Sequence, residues 1–591
     1  MSSLKPTHKK RSSPQLPSSQ PPDLPWEPVP CFFDQVSALL SAGEAAEALV
    51  AARLGLAQEP DHAPLLNLAA ICAVRTGELA AAEGYWRRAL VLAPDGADMH
   101  NNLGILLHDR QRFDEGEAFF RTALRLRPDY PEACLNLGNL LQTRKRYREA
   151  EEAYREALRL RPDFVEAYSN LGSLLHGEGR LVEAEAALQQ ALRLRSDDVD
   201  ASNNYGNLLE KLECYDEAET CFLQAVCMRP EQVVGYLNLG GLYDKQRRYP
   251  EAITAYLEAL RRRPQDADAL FFLSLTLLSQ GRFAEGWPLY ENRYNVGKKE
   301  PILLLPDLPF PQWRGEDLNG KSLLVLQEQG YGDEIQFCRF LPLLKALGVK
   351  YLTVVCKKPL LPLFAEGLAV DRVLTQDDLD VDGMPQHDAW TLLLSIPLHL
   401  GITLDNLPAT LPYLHPSPER MAWWAERMPQ GGCRVGLVWQ GNPGHLNDAH
   451  RSLPGLATLA PLWQVPGVVL ISLQTGLADR PERVHLPGQP VVDLGAQVRD
   501  FADTAAIVAQ LDLVIGVDTA VLHLAGALGK PAWVMLPCFG TDWRWLEPRP
   551  DSPWYPGVMR LFWQERSHVW GDVVEEVRAA LQAFVPARQH A

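Results

Sequence analysis

One side chain recurs at a fixed interval through the first half of this 591-residue chain. Asparagine returns every 34 residues, each time inside an Asn-(Leu/Tyr)-Gly triplet, at Asn102, Asn136, Asn170, Asn204 and Asn238. A 34-residue period is typical of helix-turn-helix repeats that stack into a superhelix, and residues at one phase of the period then line one face. The sequence therefore predicts an α-solenoid with a row of amides along one surface.

The row of asparagines also predicts a partner. A primary amide both donates and accepts hydrogen bonds, so it can pair with the N–H and C=O of an extended polypeptide without reading its sequence. The alternative is that each asparagine bonds its own turn or a neighbouring helix. We favour the first interpretation, in which these five side chains bind an acceptor peptide in a groove of the repeats.

The rest of each repeat carries small, aromatic and proline residues at fixed positions. Around the second asparagine these are Gly138, Ala150, Tyr154 and Pro162. Small residues let two helices approach closely, the ring fills the space behind them, and proline cannot continue a helix. This pattern resembles the tetratricopeptide repeat, and the array is expected to extend over residues 30–296, with degenerate units in front acting as caps.

Composition and charge argue against several classes of protein. The net charge of −17 disfavours nucleic acid as a partner, because neutralising phosphates needs clustered Lys and Arg. No run of eighteen apolar residues occurs, so no membrane span is expected. Residues 1–29 are rich in Pro and Ser and predict a disordered tail. The ten cysteines include no Cys-x-x-Cys pair, which favours a cytoplasmic protein without a metal site.

After about residue 300 the period ends, and short apolar runs alternate with helix-like stretches. Strands are predicted near residues 322, 350, 371 and 389, and then near 434, 467, 491, 512 and 531. This alternation predicts an α/β region of two Rossmann-like halves, 297–420 and 421–591, with parallel sheets covered by helices. Ligands bind such sheets at the carboxyl ends of the strands, so the strand-to-helix turns are the places to look for a site.

The first of these turns contains Gly330, Gly332 and Asp333. The glycines are expected to adopt positive φ in a tight turn, and the aspartate then stands at the start of a helix facing the cleft. A carboxylate in that position can take a proton from an acceptor hydroxyl as a general base. The alternative is an ordinary helix cap. The turn has no Lys-Ser/Thr ending of a P-loop, so ATP hydrolysis is not indicated.

A second turn follows the strand predicted near residue 512. Asp518, Thr519 and Ala520 open a helix, and His523 lies one turn further on. Free N–H groups and the helix dipole form an anion site there, which suits a diphosphate. The alternative is a simple helix cap with a histidine packed on the sheet.

A third, polar segment follows the strand predicted near residue 434. Gly441, Asn442 and His445 lie in this loop, and Arg451 closes it. The planar guanidinium of Arg451 is the group best suited to bind a phosphate, although such loops are often only solvated turns. Asp503 and Thr504 are expected either near the same ligand or in a helix cap. Residues 543–545, Trp-Arg-Trp, have two interpretations: they line the acceptor side, or the tryptophans lie in the core, which is the more common place for this residue type.

The strings GWPLYENRY, EQGYGDEIQF, RVGLVWQGN, HRSL, SLQTG, DWRW and SPWYP, together with residues 500–537, carry a further resemblance. From about residue 267 the chain resembles bacterial proteins in which tetratricopeptide repeats precede a glycosyltransferase domain of the heptosyltransferase (family 9) type. The resemblance implies a GT-B fold with the nucleotide sugar on the C-terminal half. It implies Asp333 as the base, and residues 518–523 with Arg451 at the donor phosphates.

Two further resemblances concern the acceptor. The repeat array is similar to that of the eukaryotic O-linked N-acetylglucosamine transferase, in which the asparagine row holds the protein substrate. Some relatives with this domain order are linked to flagellin glycosylation. Heptosyltransferases have no repeat array, so a lipopolysaccharide acceptor is not indicated.

The function expected from the sequence is therefore an inverting, metal-independent glycosyltransferase. It would move a sugar from a nucleotide-activated donor, with no other cofactor, to a Ser or Thr hydroxyl of a protein held by the repeats. The alternative is a repeat scaffold whose glycosyltransferase-like region is inactive, because a fold alone does not establish chemistry.

Overall fold

The computed structural model describes residues 29–294, 305–445, 447–475, 490–546 and 549–589. The predicted disordered tail, apart from its last residue, lies outside these ranges. Internal contacts divide the chain into two compact units, residues 1–213 and 214–591.

The first unit consists of helices that pack in consecutive pairs. Each helix is 13 or 14 residues long. Two helices of this length, together with their two turns, fill one 34-residue period. The helices are α1 Val29–Ser41, α2 Ala45–Gln58, α3 Ala63–Arg75, α4 Leu79–Leu92, α5 Ala97–Asp109, α6 Phe113–Leu126, α7 Pro131–Thr143, α8 Tyr147–Leu160, α9 Val165–Gly177, α10 Leu181–Leu194 and α11 Val199–Lys211.

Within these pairs a glycine of the first helix faces a large side chain of the second. A Cβ atom on Gly138 would lie 2.5 Å from Cε1 of Tyr154, and one on Gly172 would lie 2.5 Å from Cγ of Leu188. No side chain fits at such a distance, so these glycines are what permits the close approach of the two helices. This is the role that the repeat pattern predicts for them.

Ion pairs add a second regular feature to the first unit. In three successive repeats an arginine at the start of a second helix binds a glutamate of the preceding repeat. The pairs are Arg112 with Glu83 at 2.7 Å, Arg146 with Glu117 at 2.8 Å and Arg180 with Glu151 at 2.7 Å. Each repeat in this stretch is thus tied to its neighbour by charge as well as by apolar packing.

The second unit begins with five more helices and continues into the α/β region. These five helices are α12 Tyr215–Met228, α13 Val233–Lys245, α14 Tyr249–Arg262, α15 Ala267–Ser279 and α16 Phe283–Tyr290. The α/β region then adds α17 Tyr331–Phe337, α18 Leu341–Ala346, α19 Leu361–Gly367, α20 Gln376–Asp382, α21 Ile396–His399, α22 Pro418–Ala425, α23 Asp448–Arg451, α24 Phe501–Val508, α25 Ala520–Ala527 and α26 Gly571–Gln589.

Two parallel sheets form the α/β region. The first has the strand order β3-β2-β1-β4 and the second has the order β10-β9-β8-β5-β6-β7. The strands are β1 Ser322–Leu326, β2 Tyr351–Val355, β3 Arg372–Leu374, β4 Ala389–Leu392, β5 Cys433–Val438, β6 Val468–Ser472, β7 Val491–Asp493, β8 Leu513–Val517, β9 Ala532–Leu536 and β10 Met559–Trp563. The predicted α/β class and all nine predicted strands are confirmed, whereas β10 was not predicted.

The last repeat helices share one apolar core with both sheets. Phe271 of α15 and Phe283, Trp287 and Tyr290 of α16 are buried in the same cluster as residues of β1 and β8. The Nε1–H of Trp287 also donates a hydrogen bond to the carbonyl of Ile402, at 3.0 Å. The domain boundary predicted at residue 296 therefore does not coincide with a break in packing.

A buried ion network fixes the same junction. The Arg293 side chain is fully buried and contacts Glu328 at 2.9 Å and Glu291 at 2.7 Å. It also donates to the hydroxyl of Ser395 at 2.7 Å. Because Glu328 follows β1 and Ser395 follows β4, this arginine anchors the end of the repeats to the carboxyl edge of the first sheet.

Candidate functional site

A cavity of about 990 Å³ lies between the two sheets of the second unit. Its walls come from the turns at the carboxyl ends of β1, β5, β6 and β8, as expected for parallel sheets. The lining includes all eleven residues that the sequence predicts for the base, the donor phosphates and the donor loop: Gly330, Gly332, Asp333, Gly441, Asn442, His445, Arg451, Asp518, Thr519, Ala520 and His523.

The turn between β1 and α17 differs from the predicted geometry. The residue with positive φ is Gln329, at 58°, whereas Gly330 has a φ of −91°. The expectation of positive φ at the two glycines was therefore wrong. Gly332 is needed instead for close packing, since a Cβ there would lie 3.0 Å from Cδ2 of His523. A non-glycine residue with positive φ at a cavity wall is a feature often found at functional sites.

Asp333 serves as a helix cap and as part of the cavity wall at once. Its Oδ2 accepts a 2.6 Å hydrogen bond from the N–H of Gly330. Its Oδ1 forms an ion pair with the guanidinium of Arg544. The side chain is 16 % exposed, so the carboxylate remains accessible from the cavity. The two interpretations offered by the sequence, a cap and a cleft carboxylate, both describe this residue.

The turn between β8 and α25 presents a helix start to the cavity. Thr519 is the N-cap of α25, with extended backbone angles, and its hydroxyl caps nothing. Within the described ranges its buried Oγ1 has no hydrogen-bond partner. The first N–H groups of α25 lie beside it, where the positive end of the helix dipole favours an anion. The predicted anion site therefore has the required backbone arrangement.

Asp518 and His523 are largely buried at the same helix start. Burial raises the pKa of the Asp518 carboxyl to about 6, and the nearby Asp542 adds to the effect. Burial also lowers the pKa of His523 to about 3, with repulsion from Arg544 adding to it. The imidazole is therefore neutral at physiological pH and packs on Trp545, with a ring distance of 5.2 Å. His523 can donate a hydrogen bond, but in its neutral form it adds no positive charge to the site.

The loop after β5 positions Arg451. The guanidinium Nε lies 3.6 Å from Oδ1 of Asp448, and the side chain is 14 % exposed. A Cβ on Gly441 would come within 2.7 Å of Arg451, so glycine makes room for the guanidinium beside the strand end. The hydroxyl of Ser452 donates to Asp448 at 2.7 Å and fixes that carboxylate in turn. The cation is thus held against the cavity wall.

The other two members of this loop bond locally. The Asn442 side chain accepts from the N–H of Gly444 at 3.0 Å, and the His445 Nδ1 accepts from the N–H of Asn447 at 3.2 Å. Partial desolvation by the surrounding loop, followed by repulsion from Arg451, lowers the pKa of His445. Both side chains are exposed, and their bonds preserve the shape of the loop.

Asp503 and Thr504 have different surroundings. Asp503 is fully buried and binds Arg420 at 2.5 Å and Arg499 at 2.6 Å. Although burial opposes it, these hydrogen bonds lower the pKa of the Asp503 carboxyl. Asp503 is absent from the cavity wall, while Thr504 contributes to it, and the cap of α24 is Asp500. Asp503 therefore ties α22 to α24 and does not lie at the predicted ligand.

The segment Trp543–Trp545 is only partly in the predicted place. Trp543 packs edge-on against Trp287, with a ring distance of 5.4 Å, and Trp545 packs on His523. Both tryptophans are buried outside the cavity wall, which agrees with the core interpretation. Arg544 does line the cavity, and it is 5 % exposed.

Several cavity residues were not predicted. Asp542 binds Arg544 through both carboxylate oxygens, at 2.8 and 2.9 Å. The rings of Tyr331 and Phe501 approach to 5.1 Å and join the two sheet regions at the cavity wall. The side chain of Gln474 bonds the backbone of Gln440 in both directions, at 3.1 Å each. Nothing in the sequence distinguishes these residues from ordinary turn and core positions.

The asparagine row occupies the first helix of each repeat and is half-buried throughout. Of the four asparagines in the first unit, three donate to a side chain of the preceding repeat. These bonds run from Asn136 to Asn101 at 2.9 Å, from Asn170 to Asn139 at 2.7 Å and from Asn204 to Ser169 at 3.0 Å. The bond to a neighbouring helix, which was the alternative interpretation, is thus present at these positions.

These bonds leave part of each amide for a ligand. One N–H of the amide is used, and the group has a second N–H and a carbonyl oxygen. Asn170 also lines a hollow of about 380 Å³ together with Asn139, Gln142, Thr143 and Ser173. Polar amides and hydroxyls dominate this hollow, which is suited to a polar, extended ligand.

The repeats match sequence models described as tetratricopeptide repeats. One model matches residues 135–199, 183–233 and 237–294, and a second matches residues 97–163. The chain contains tetratricopeptide repeats. No helix in the described ranges is long and apolar enough to cross a bilayer.

One curated relative is Protein FlbA of Caulobacter vibrioides. It is 30% identical over 53% of this chain and 55% of its own length. The chain thus spans about half the length of this relative. Among solved structures, the chain is similar to that of Pseudomonas aeruginosa PilF, with 22% identity and a TM-score of 0.32 over 35% of this chain and 94% of that chain.

A second solved structure is a tetratricopeptide repeat protein from Parabacteroides merdae. It has 17% identity and a TM-score of 0.38, over 42% of this chain and 98% of that chain. A third is YrrB, titled a protein with an unusual peptide-binding site, with 24% identity and a TM-score of 0.25 over 31% of this chain and 95% of that chain. The assignment of tetratricopeptide repeats rests on the sequence models.

Proposed function

We propose that this protein is a glycosyltransferase of GT-B type that transfers a sugar from a nucleotide-activated donor to a Ser or Thr hydroxyl of a protein. The observation that carries the proposal is that Asp333, Arg451 and the start of α25 at Thr519 line one cavity at the carboxyl ends of two parallel sheets. A base, a fixed cation and a helix dipole are the parts that this reaction needs. The resemblance to family 9 glycosyltransferases supports the same assignment.

The donor diphosphate would lie against the start of α25. The free N–H groups there, the Thr519 hydroxyl and the Arg451 guanidinium supply donors for its oxygens. The neutral His523 adds a hydrogen bond without a charge. The positive charge that offsets the leaving phosphate therefore comes from Arg451 and Arg544, and the reaction is proposed to need no metal ion.

The transfer step involves one bond formed and one bond broken at the sugar. The acceptor oxygen attacks the anomeric carbon while its proton passes to the Asp333 carboxylate. The bond from the anomeric carbon to the phosphate oxygen breaks, and the nucleoside diphosphate leaves with that electron pair. Attack opposite the leaving group inverts the anomeric configuration. The Asp333 proton then returns to water.

The tetratricopeptide repeats are proposed to bind the acceptor polypeptide. The asparagine row offers amide donors and acceptors at a 34-residue spacing, and the hollow at Asn170 has room for a polar segment of chain. Flagellin is the acceptor that the resemblance in the sequence implies. The inactive scaffold is the outcome to be tested against this proposal.

The first experiment is a thermal-shift screen of the full chain with UDP, GDP, ADP, CDP and CMP. A ligand present at a hundred times its dissociation constant adds about 2.7 kcal/mol to the free energy of unfolding, which is readily seen as a rise in Tm. We expect one nucleotide to raise the Tm, and Arg451→Ala to abolish the rise. Arg566→Ala is the matched control, because Arg566 is exposed and absent from the cavity wall. No rise with any of the five nucleotides would favour the scaffold.

A further inference from the structure

Arg544 is the most constrained cation of the cavity. It is 5 % exposed, and its NH1 nitrogen binds both oxygens of Asp542, at 2.8 and 2.9 Å. A second nitrogen, NH2, forms the ion pair with Asp333. Its Nε is buried and has no hydrogen-bond acceptor within the described parts of the chain. One guanidinium therefore contacts the proposed base and still has an unused N–H.

Aromatic packing holds this guanidinium in place. Its central carbon lies 4.4 Å from the centre of the Trp543 ring and 5.6 Å from the centre of the Phe337 ring. Trp543 in turn belongs to the buried aromatic cluster around Trp287 and Trp554. A guanidinium packed against fixed rings cannot change its position as a surface arginine can. The carboxylates and any bound phosphate must therefore contact it at this one position.

The charges around Arg544 disfavour the binding of any further anion. Asp333 and Asp542 share the single positive charge of Arg544. The other well-buried cation of the cavity, Arg451, lies beside Asp448. A donor diphosphate brings further negative charge to the same wall, so it must compete with Asp333 for the guanidinium.

We propose that Arg544 is a positioning residue that couples donor binding to the base: the donor phosphate takes a share of the guanidinium, weakens its ion pair with Asp333 and so leaves the carboxylate available to the acceptor hydroxyl. The inference rests on the proposed function. Under this proposal, Asp333 is paired with Arg544 while the cavity is empty, and it acts as a base only when a donor is bound.

The coupling must be reciprocal, because linkage acts equally in both directions. If the diphosphate weakens the Arg544–Asp333 pair, the pair must weaken diphosphate binding. Asp333→Asn removes the competing charge and keeps the hydrogen bond from Gly330, so it is expected to bind the nucleoside diphosphate more tightly, by about 5-fold or more. The tightening should disappear when Arg544 is also replaced.

The test is a double-mutant cycle on the full chain by isothermal titration calorimetry, with the nucleoside diphosphate that most stabilises the wild type. It compares the wild type, Asp333→Asn, Arg544→Met and the double variant. Asp500→Asn is the matched control, because Asp500 lines the same cavity but is paired with Arg420 instead. Removing a cavity charge in general would tighten binding in both Asp variants, whereas coupling through Arg544 tightens binding only in Asp333→Asn.

The possible results separate this inference from the proposed function. Tighter binding by Asp333→Asn that is lost with Arg544→Met supports the coupling. Unchanged or weaker binding by Asp333→Asn overturns it while leaving the glycosyltransferase proposal intact. Absence of nucleotide binding by the wild type overturns both. If Arg544→Met does not fold, the comparison of Asp333→Asn with Asp500→Asn decides the matter without it.

Discussion

Gly332 packs directly against His523, so that the helix start after β1 and the helix start after β8 meet across the cavity. A methyl group on Gly332 would lie 3.0 Å from Cδ2 of the imidazole and 3.6 Å from Cα of Ala520. His523 cannot retreat, because its Nδ1 bonds the hydroxyl of Tyr555 at 2.9 Å and its ring lies on Trp545. The close approach of the two helix starts therefore depends on the absence of a side chain at residue 332.

We expect Gly332→Ala to push the two helix starts apart. Overpacking of this kind costs about 1–3 kcal/mol, and the displaced Thr519 N-cap should also weaken nucleotide binding. Unfolding by guanidinium chloride and titration with the stabilising nucleotide measure the two effects. Gly571→Ala, at the open first turn of α26, is the control and should change the stability by less than about 0.5 kcal/mol. Equal behaviour of the two variants would contradict the role given to Gly332.

Asp333→Asn should abolish sugar transfer while preserving the fold. The asparagine oxygen still accepts from the N–H of Gly330, but it cannot take the proton of the acceptor hydroxyl. Loss of a general base lowers the rate by about 10²- to 10⁴-fold. Release of nucleoside diphosphate in the presence of acceptor protein gives the rate, and Asp377→Asn, an exposed site elsewhere in the second unit, serves as the control. Full transfer by a folded Asp333→Asn protein would rule out this residue as the base.

The raised pKa of Asp518 predicts a dependence of stability on pH. The folded state holds this proton up to about pH 6, whereas the unfolded chain releases it near pH 4. The folded protein thus binds more protons in that window, and its stability falls as the pH rises through it. Asp518→Asn lacks the effect, so its free energy of unfolding should exceed that of the wild type by roughly 3 kcal/mol well above pH 6 and approach it near pH 4.

Denaturant unfolding of the wild type and Asp518→Asn at pH 4.5 and pH 7.5, followed by tryptophan fluorescence, measures this difference. Other buried carboxyls contribute equally to both proteins and cancel in the comparison. A difference that is the same at both pH values would show that Asp518 titrates alike in the folded and unfolded chain.

Removal of the last repeats should unfold the α/β region. A fragment of residues 300–591 loses Phe271, Phe283, Trp287 and Tyr290 from the shared core, and burial of each such side chain is worth about 1.5–3 kcal/mol. That sum is comparable to the whole stability of a domain. A fragment of residues 214–591 retains them and should fold. Circular dichroism and calorimetry of the two fragments decide the question, and cooperative unfolding of the shorter one would contradict the shared core.

The sequence predicts most of the fold because two strong periodicities carry it. The 34-residue period requires repeats, and the alternation of short apolar runs with helical stretches requires parallel sheets. β10 was not predicted, because Met559–Trp563 follows a Pro-rich stretch and no α-helix separates it from β9. The sequence also places the end of the repeats near residue 296, but it does not reveal that the last helices share a core with the sheets. Residues 283–290 keep helical character, and no local pattern reveals that Trp287 packs on a tryptophan more than 250 residues later.

The site is predicted in its membership but not in its electrostatics. The predicted residues lie in turns after parallel strands, and the topology alone brings the carboxyl ends of these strands together. The neutral state of His523 and the pairing of Asp333 with Arg544 depend on burial and on contacts between distant segments. Gly332 illustrates the same limit. The sequence indicates a special position there, but only the packing against His523 shows that the requirement is space and not φ.

The shared core of α15, α16 and the sheets has a consequence for how such a chain can change over time. Repeats of the first unit contact mainly their neighbours, so whole 34-residue blocks can be duplicated or deleted there at little cost to folding. The helices from α12 onward lack that freedom, because the last of them, α15 and α16, share a buried core with the sheets. Such changes would lengthen or shorten the row of asparagines, and with it the span of polypeptide that we propose it binds, without altering the cavity between the sheets.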